Sequence, residues 1–468
     1  MERQASENFM NKKSNKNRKK HSYNSKNIES RQLHLLDTQR NKIQKVEAMC
    51  ERRIETGYYR FKRSVVSFFK WGTASAITGV TCGIFGVIFH SFVSDATWYR
   101  GEYPNLIYFL PFAGLAIVMI YRMSYMENDG GTNTIISSIR SNEKIPFTMT
   151  PLIFVSTVLT HLFGGSSGRE GAALQIGGST GYTIGHALKF EENELQVVTM
   201  CGMSGVFAAL FGTPVTATIF SMEVISVGVI YYVALVPCLI SALLGYAIAS
   251  SFGIHPVSYV LNSIPPFNLA SMLQVIILAA ACALVSIIFC VAMHQIGHIY
   301  QSKIKNSYVR IFAGGCLVVL LTLLVGCRDY NGAGMDIIAN AIQGSAKPEA
   351  PFLKIIFTAL TLGAGYKGGE IVPTLFIGAA FGNLMGNILG LDPCFGAAIG
   401  MVALFCGVVN CPIASLMLSI ELFGIEGILF FCMASAVSYT LSGYYGLYSS
   451  QKIMYSKLRP HYININTK

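Results

Sequence analysis

Long apolar stretches recur along this chain and leave only short polar connections between them. Residues 65–92, 106–120, 230–249, 272–293, 311–325 and 427–441 each carry few or no charges. About 20 predominantly apolar residues is the length at which a helix crosses the hydrocarbon layer of a bilayer. The pattern predicts an all-α integral membrane protein with many spans. Other segments are too short to cross and are broken by glycine, among them 130–140 and 335–342. In a bilayer such backbone survives only where protein or a water-filled cavity covers it, so these fragments predict tilted and re-entrant helices around a buried polar site.

The polar positions that interrupt the apolar pattern occur twice. CGMSGVFAALFGTPVTATIFSMEV places Gly202-Met203, Pro214 and Glu223 at the spacing GM-x10-P-x8-E. IGMVALFCGVVNCPIASLMLSIEL repeats that spacing with Gly400-Met401, Pro412 and Glu421. Upstream, GREGAALQIGG sets Glu170 eight residues before Gly178, and GGEIVPTLFIG sets Glu370 eight before Gly378. Two matches in order, about two hundred residues apart, indicate an internal duplication. The expected organisation is a basic, partly disordered N-terminal tail at 1–62, half-repeats at 63–260 and 261–460, and a short C-terminal tail at 461–468. Duplicated halves with broken helices are a transporter and channel architecture, whose sites lie where half-helix ends meet. The matched glutamates Glu223 and Glu421 read as a duplicated packing role.

Composition narrows the picture. The chain has 468 residues, of which 52% are hydrophobic and 13% charged, about half the charge of an average soluble protein. About half of the Lys and Arg lie before Ser64. That places the N-terminus on the cytoplasmic side of the membrane, with 37–59 able to form an amphipathic surface helix. Within the basic run at 12–31 Tyr23 is the single Phe, Tyr or Trp, too little aromatic interleaving for a nucleic-acid-binding arm. The 12 cysteines are scattered singly, with no CxxC pair or Cys/His spacing, so neither a metal centre nor another cofactor is expected.

The stretch GGSSGREGAALQIGG puts an ionisable pair, Arg169 and Glu170, among glycines inside the membrane region. A helix starting near Glu170 leaves its first backbone N–H groups without partners, and the dipole makes that end an anion site. Glycines let an ion approach the backbone, because no Cβ stands in the way. A carboxylate at the same place is itself an anion. It occupies the site when ionised and leaves it when protonated or displaced, which makes Glu170 a candidate gate and proton carrier.

GREGAALQIGG resembles the GREGP/GKEGP signature of the CLC family of chloride channels and anion/proton antiporters, and GGEIVP is similar to that family's GxFxP segment. The resemblance covers roughly 65–460. It implies a CLC-like inverted-repeat bundle, a homodimer in the cell membrane, and an anion pathway in each subunit. It also implies anion contacts at Thr132, where the family carries a coordinating serine, at the backbone of Gly168, Arg169, Glu370 and Ile371, and at Tyr455 as the pore tyrosine. No paired cytoplasmic regulatory domains are expected after Tyr455. Ala172 replaces the motif proline. Val224 stands where chloride/proton exchangers carry an internal glutamate, as it does in channels of the family. Glu370 resembles the fluoride/proton antiporter branch, whereas Thr132 and Val372 depart from it. Glu370 either relays protons or is held by Lys367.

The expected function is therefore halide transport, chloride first, gated by Glu170, with fluoride/proton antiport as the alternative. The ligands are chloride or fluoride, protons in the coupled case, and the surrounding lipid. No enzyme activity is expected. One rival class is a rhomboid-like intramembrane serine protease, since Gly202-Met203-Ser204-Gly205 matches GxSG and His294 and His298 follow on a later span.

Overall fold

The computed structural model describes residues 59–468 apart from 128, 142 and 262, together with 42, 45 and 49. The expected tail (1–62) and surface helix (37–59) thus lie outside the described residues except at 42, 45, 49 and 59–62. The chain separates into two compact units, Met1–Lys70 and Trp71–Lys468. In the first, 59–70 is helical and exposed; the rest of the description concerns the second.

Its elements are almost all helical. They are α1 (Tyr59–Glu102), α2 (Leu110–Met123), α3 (Thr132–Ser141), α4 (Met149–Leu162), α5 (Glu170–Ala187), α6 (Glu192–Phe211), α7 (Pro214–Glu223) and α8 (Leu235–Ser251). There follow α9 (Leu269–Lys303), α10 (Ser307–Val325), α11 (Met335–Ile342), α12 (Ala350–Ala364), α13 (Ile371–Ile388), α14 (Pro393–Val409), α15 (Pro412–Phe423) and α16 (Ile428–Leu441). Seven helical segments among the described residues are long and apolar enough to cross a membrane. The fragments expected to be too short are α3, 10 residues, and α11, 8 residues. On α10, Leu317, Leu320, Leu323 and Leu324 are exposed, which suits a helix whose outer face meets lipid tails rather than water.

The repeated letters have structural meanings. α6 ends on Gly212 at φ +69 and α14 on Asn410 at φ +58, both left-handed, the geometry that stops a helix. Pro214 and Pro412 then open α7 and α15, where the missing N–H costs nothing. α5 packs on α6 so closely that a Cβ on Gly202 would fall on the Gly177 carbonyl oxygen; one on Gly400 would meet that of Gly378 in the α13–α14 pair. Close approach of small residues is how helices associate in a bilayer. Glu223 and Glu421 tie the two regions together reciprocally. Glu223, ending α7, accepts from Ile413 N (3.2 Å) and Ala414 N (2.8 Å) at the start of α15. Glu421, near the end of α15, accepts from Val215 N (2.9 Å) and Thr216 N (2.8 Å) at the start of α7.

Two departures from the expectation lie near the C-terminus. A small sheet joins β1 (Ser226–Val227), β2 (Lys452–Tyr455) and β3 (Tyr462–Asn466), with β1 parallel and β3 antiparallel to β2. Residues 461–468, expected as a tail, are folded back: β3 pairs with β2, and Lys468 N donates to Tyr444 O at 2.9 Å.

Candidate functional site

The starts of α5 and α13 face each other. Gly168 and Gly369 exchange both backbone hydrogen bonds, each 2.7 Å, as an isolated antiparallel bridge. This fixes the two helix starts side by side, and glycine is needed there because a Cβ on Gly369 would strike the backbone of Gly171. Both helices have 18 residues, starting at 170 and at 371, so they are offset by 201. That corrects the pairing of glutamates drawn from the sequence. Glu170 is the first residue of α5, whereas Glu370 is the residue before α13 and stands opposite Arg169 in the alignment of the two helices.

Glu170 is fully buried. Its Oε2 accepts from Arg169 N at 3.0 Å and, across the interface, from Val372 N at 3.3 Å in the first turn of α13. Its Oε1 accepts no hydrogen bond and lies 4.0 Å from Arg169 Nε. The carboxylate therefore sits between one backbone donor at each helix start, Arg169 N before α5 and Val372 N in the first turn of α13, the place an anion would take. The Arg169 guanidinium is drawn away by His90 Nδ1 (3.0 Å) and Leu210 O (3.5 Å). His161 Nε2 lies 3.2 Å from Gly168 O. A carbonyl oxygen can only accept, so that nitrogen carries a hydrogen.

A cavity of about 800 Å³ reaches this junction from one side. Thr132, Gln175, Lys367, Glu370 and Tyr448 are among its lining residues. Five acceptors or hydroxyls of its lining residues have no hydrogen-bond partner: Tyr121 Oη, Asp129 Oδ2, Gln175 Oε1, Glu370 Oε2 and Tyr448 Oη. Ser307 and Arg310, at the start of α10, also line it. The other end of α10 is about 28 Å away at 1.5 Å per residue over 19 residues. The connection after α10 thus lies on the opposite face.

The structure brings Glu170, Glu370, Thr132, Gly168, Arg169 and Ile371 together, with several roles changed. Thr132 lines the cavity, but its hydroxyl donates to Gly171 O (3.3 Å) and accepts from Gln175 Nε2 (3.3 Å), so its proton is committed. Gly168 N–H is taken by Gly369 O, and Arg169 N–H by the Glu170 carboxylate. Lys367 does not hold Glu370: its Nζ stands 4.3 Å from the centre of the Tyr121 ring, and among the described residues it forms no ion pair. Tyr455 is not at the junction. It ends β2, is half exposed, and packs its ring against Tyr462. Tyr448, buried and unpaired, occupies the cavity instead. The residues missed in sequence are Tyr448 and Gln175. GYYGLYSS offers three tyrosines with nothing to rank them, and Gln175 is one polar letter in an apolar helix.

The protease constellation is absent. Ser204 is fully buried and its hydroxyl donates to Cys238 O at 3.0 Å. His294 lies at the cavity, where its Nε2 meets Leu447 O at 3.2 Å.

Residues 112–443 match the family model described as voltage gated chloride channel. A chloride/fluoride channel protein of Pseudomonas syringae pv. tomato is 34% identical over 395 residues, 83% of this chain and 87% of that one. An H(+)/Cl(−) exchange transporter of Vibrio vulnificus is 22% identical over 381 residues, 74% of this chain and 81% of its own. The crystal structure of a CLC-type fluoride/proton antiporter superposes with a TM-score of 0.80 at 28% identity, covering 82% of this chain and 98% of that one. A slow cyanobacterial Cl⁻/H⁺ antiporter gives 0.67 at 18% identity over 80% and 94% of the two chains, a likeness of fold.

Proposed function

This chain belongs to the voltage gated chloride channel family, and from that premise we propose that it exchanges a small halide for protons across the membrane, with Glu170 as the gate. One observation carries the reading: the Glu170 carboxylate takes backbone donors from both helix starts, Arg169 N and Val372 N, while a second carboxylate, Glu370, faces the cavity beside it. Protonation releases Glu170 from those donors and an anion takes its place. Halide and proton movements are thereby linked at one site.

Fluoride fits the inner side of this site better than chloride. It is the stronger hydrogen-bond acceptor, and with Thr132 committed to Gly171 the unpaired hydroxyls in the cavity are those of Tyr448 and Tyr121, joined by the Glu370 carboxyl when protonated. Similarity to a fluoride/proton antiporter supports the same choice, and the name of the chloride/fluoride channel protein admits both ions. The second reading is a passive chloride channel, favoured by Val224, which carries no proton.

Arg310 lines the cavity, and Arg122 and Lys303 lie in the last turns of α2 and α9, whose residues also line it, which supports a cytoplasmic cavity side; the basic residues before Ser64 support a cytoplasmic N-terminus. The working assembly is a homodimer in the cell membrane, each subunit built of half-repeats 63–260 and 261–460.

Purified protein in liposomes tests the proposal, with fluoride, chloride and proton fluxes recorded together. A fluoride gradient should drive protons uphill, and Glu170→Gln should abolish both the coupling and the pH response. Chloride flux without proton movement selects the channel. A Glu170→Gln protein with unaltered flux and pH response removes the gate.

A further inference from the structure

Lys354, on α12, is wholly buried, and among the described residues no carboxylate pairs with it. An ammonium group within a membrane protein is costly and is kept where it has work. Its Nζ donates to Gly332 O at 2.6 Å and Tyr330 O at 3.2 Å, and lies 5.0 Å from the centre of the Phe376 ring on α13. Both carbonyls belong to the connection after α10, which turns through Gly332 and Gly334 at φ +61 and +78. This strap lies on the face opposite the cavity.

The strap grips the backbone that leads into Glu170. Gly332 N donates to Gly165 O at 3.0 Å and Asn331 Nδ2 to Gly164 O at 2.9 Å. Helix α12 holds the next residue directly: Ser166 N donates to Thr361 Oγ1 and Ser166 Oγ meets Thr358 Oγ1, each 3.1 Å. Four residues after Ser166 comes Glu170, whose contact with Val372 N depends on where this segment is held. The geometry points to Lys354 as a positioning residue for the gate: its ammonium pins the Tyr330–Gly332 strap onto the α4–α5 connection and so sets the height at which the Glu170 carboxylate meets α13. The inference rests on the reading of Glu170 as the gate. Arg100 and His161 lie within electrostatic reach of Lys354. Arg169, Glu370 and Tyr448 face Glu170.

The test is a cycle of variants in liposomes, with halide flux measured against pH and unfolding followed in detergent. Lys354→Met in the wild-type background should raise flux at the pH where the gate is shut by about tenfold, the size of ~1.4 kcal/mol lost from the closed state, and shift the pH profile. In a Glu170→Gln background the same change should be silent, because the residue acts through the gate. Lys354→Arg, which keeps the donors, should restore the wild-type profile. Asn331→Ala cuts the strap from Gly164 without leaving a buried charge, and should move the profile in the same direction. It decides the matter if Lys354→Met does not fold. Flux lowered equally in both backgrounds, or a profile moved by neither variant, overturns the inference. If Glu170→Gln alone leaves the pH response intact, the gate reading fails instead.

Discussion

Removing Glu223 tests whether the paired carboxylates at the α7–α15 contact are structural. Its two oxygens accept from Ile413 N and Ala414 N at 3.2 and 2.8 Å, and its side chain is almost wholly buried. Glu223→Ala leaves two backbone donors unpaired in a site water reaches poorly, at about 1–3 kcal/mol each. Relaxation of the helix start reduces the sum, so the expected loss is about 3 kcal/mol. Glu421 makes the mirror-image bonds to Val215 N and Thr216 N, but from a more exposed position. Water can replace part of what is lost there, so Glu421→Ala should cost about 1–2 kcal/mol, the range of an ordinary helix cap. Glu223→Gln keeps one acceptor oxygen and should fall between. The assay is unfolding of the purified protein in one detergent, alongside flux in liposomes. The order Glu223→Ala, then Glu223→Gln and Glu421→Ala, in falling cost, is expected, with proton coupling preserved in whatever protein folds. Full stability together with lost proton movement in Glu223→Gln refutes the reasoning and makes Glu223 a proton carrier.

Tyr448→Phe should weaken halide binding about tenfold, as loss of one hydrogen bond to a charged group does, while Tyr455→Phe should stay within about twofold; calorimetric titration separates them. Glu370→Gln should leave halide flux and lower the protons moved per halide, read in the same liposomes; an unchanged ratio removes Glu370 from the proton path. Gly202→Val should prevent folding, because its side chain falls on the Gly177 carbonyl and forces α5 from α6; monodisperse protein on size-exclusion chromatography would contradict the close packing.

The bilayer made much of the fold legible in the sequence. Apolar length marks the spans, and α3 and α11 were readable as fragments too short to cross. The proposed site was legible as far as ionisable residues are rare inside a membrane, which singles out Glu170 and Glu370 as candidates. What could not be read is set by chain path rather than residue type. Tyr448 reaches the cavity because the chain after α16 turns back at once, with Leu447 N donating to Val408 O at 3.1 Å; seven residues on, Tyr455 is already in a surface strand. Lys354 is one charge in an apolar helix, and its meaning lies in two carbonyls that only folding brings to it.

Register is the deepest of these limits. Matching letters pairs Glu170 with Glu370 at an offset of 200, whereas the backbone pairs the helices at 201 and sets Glu370 against Arg169. That single residue separates the carboxylates in role. Glu170, inside its helix, crosses the junction to the donors of α13. Glu370, just outside its own helix, meets the cavity with one oxygen unpaired. Two equivalent carboxylates would compete for one anion site. Displaced by a residue, they fit the proposed division of labour, in which Glu170 closes the site and Glu370 stays open to the water that brings protons.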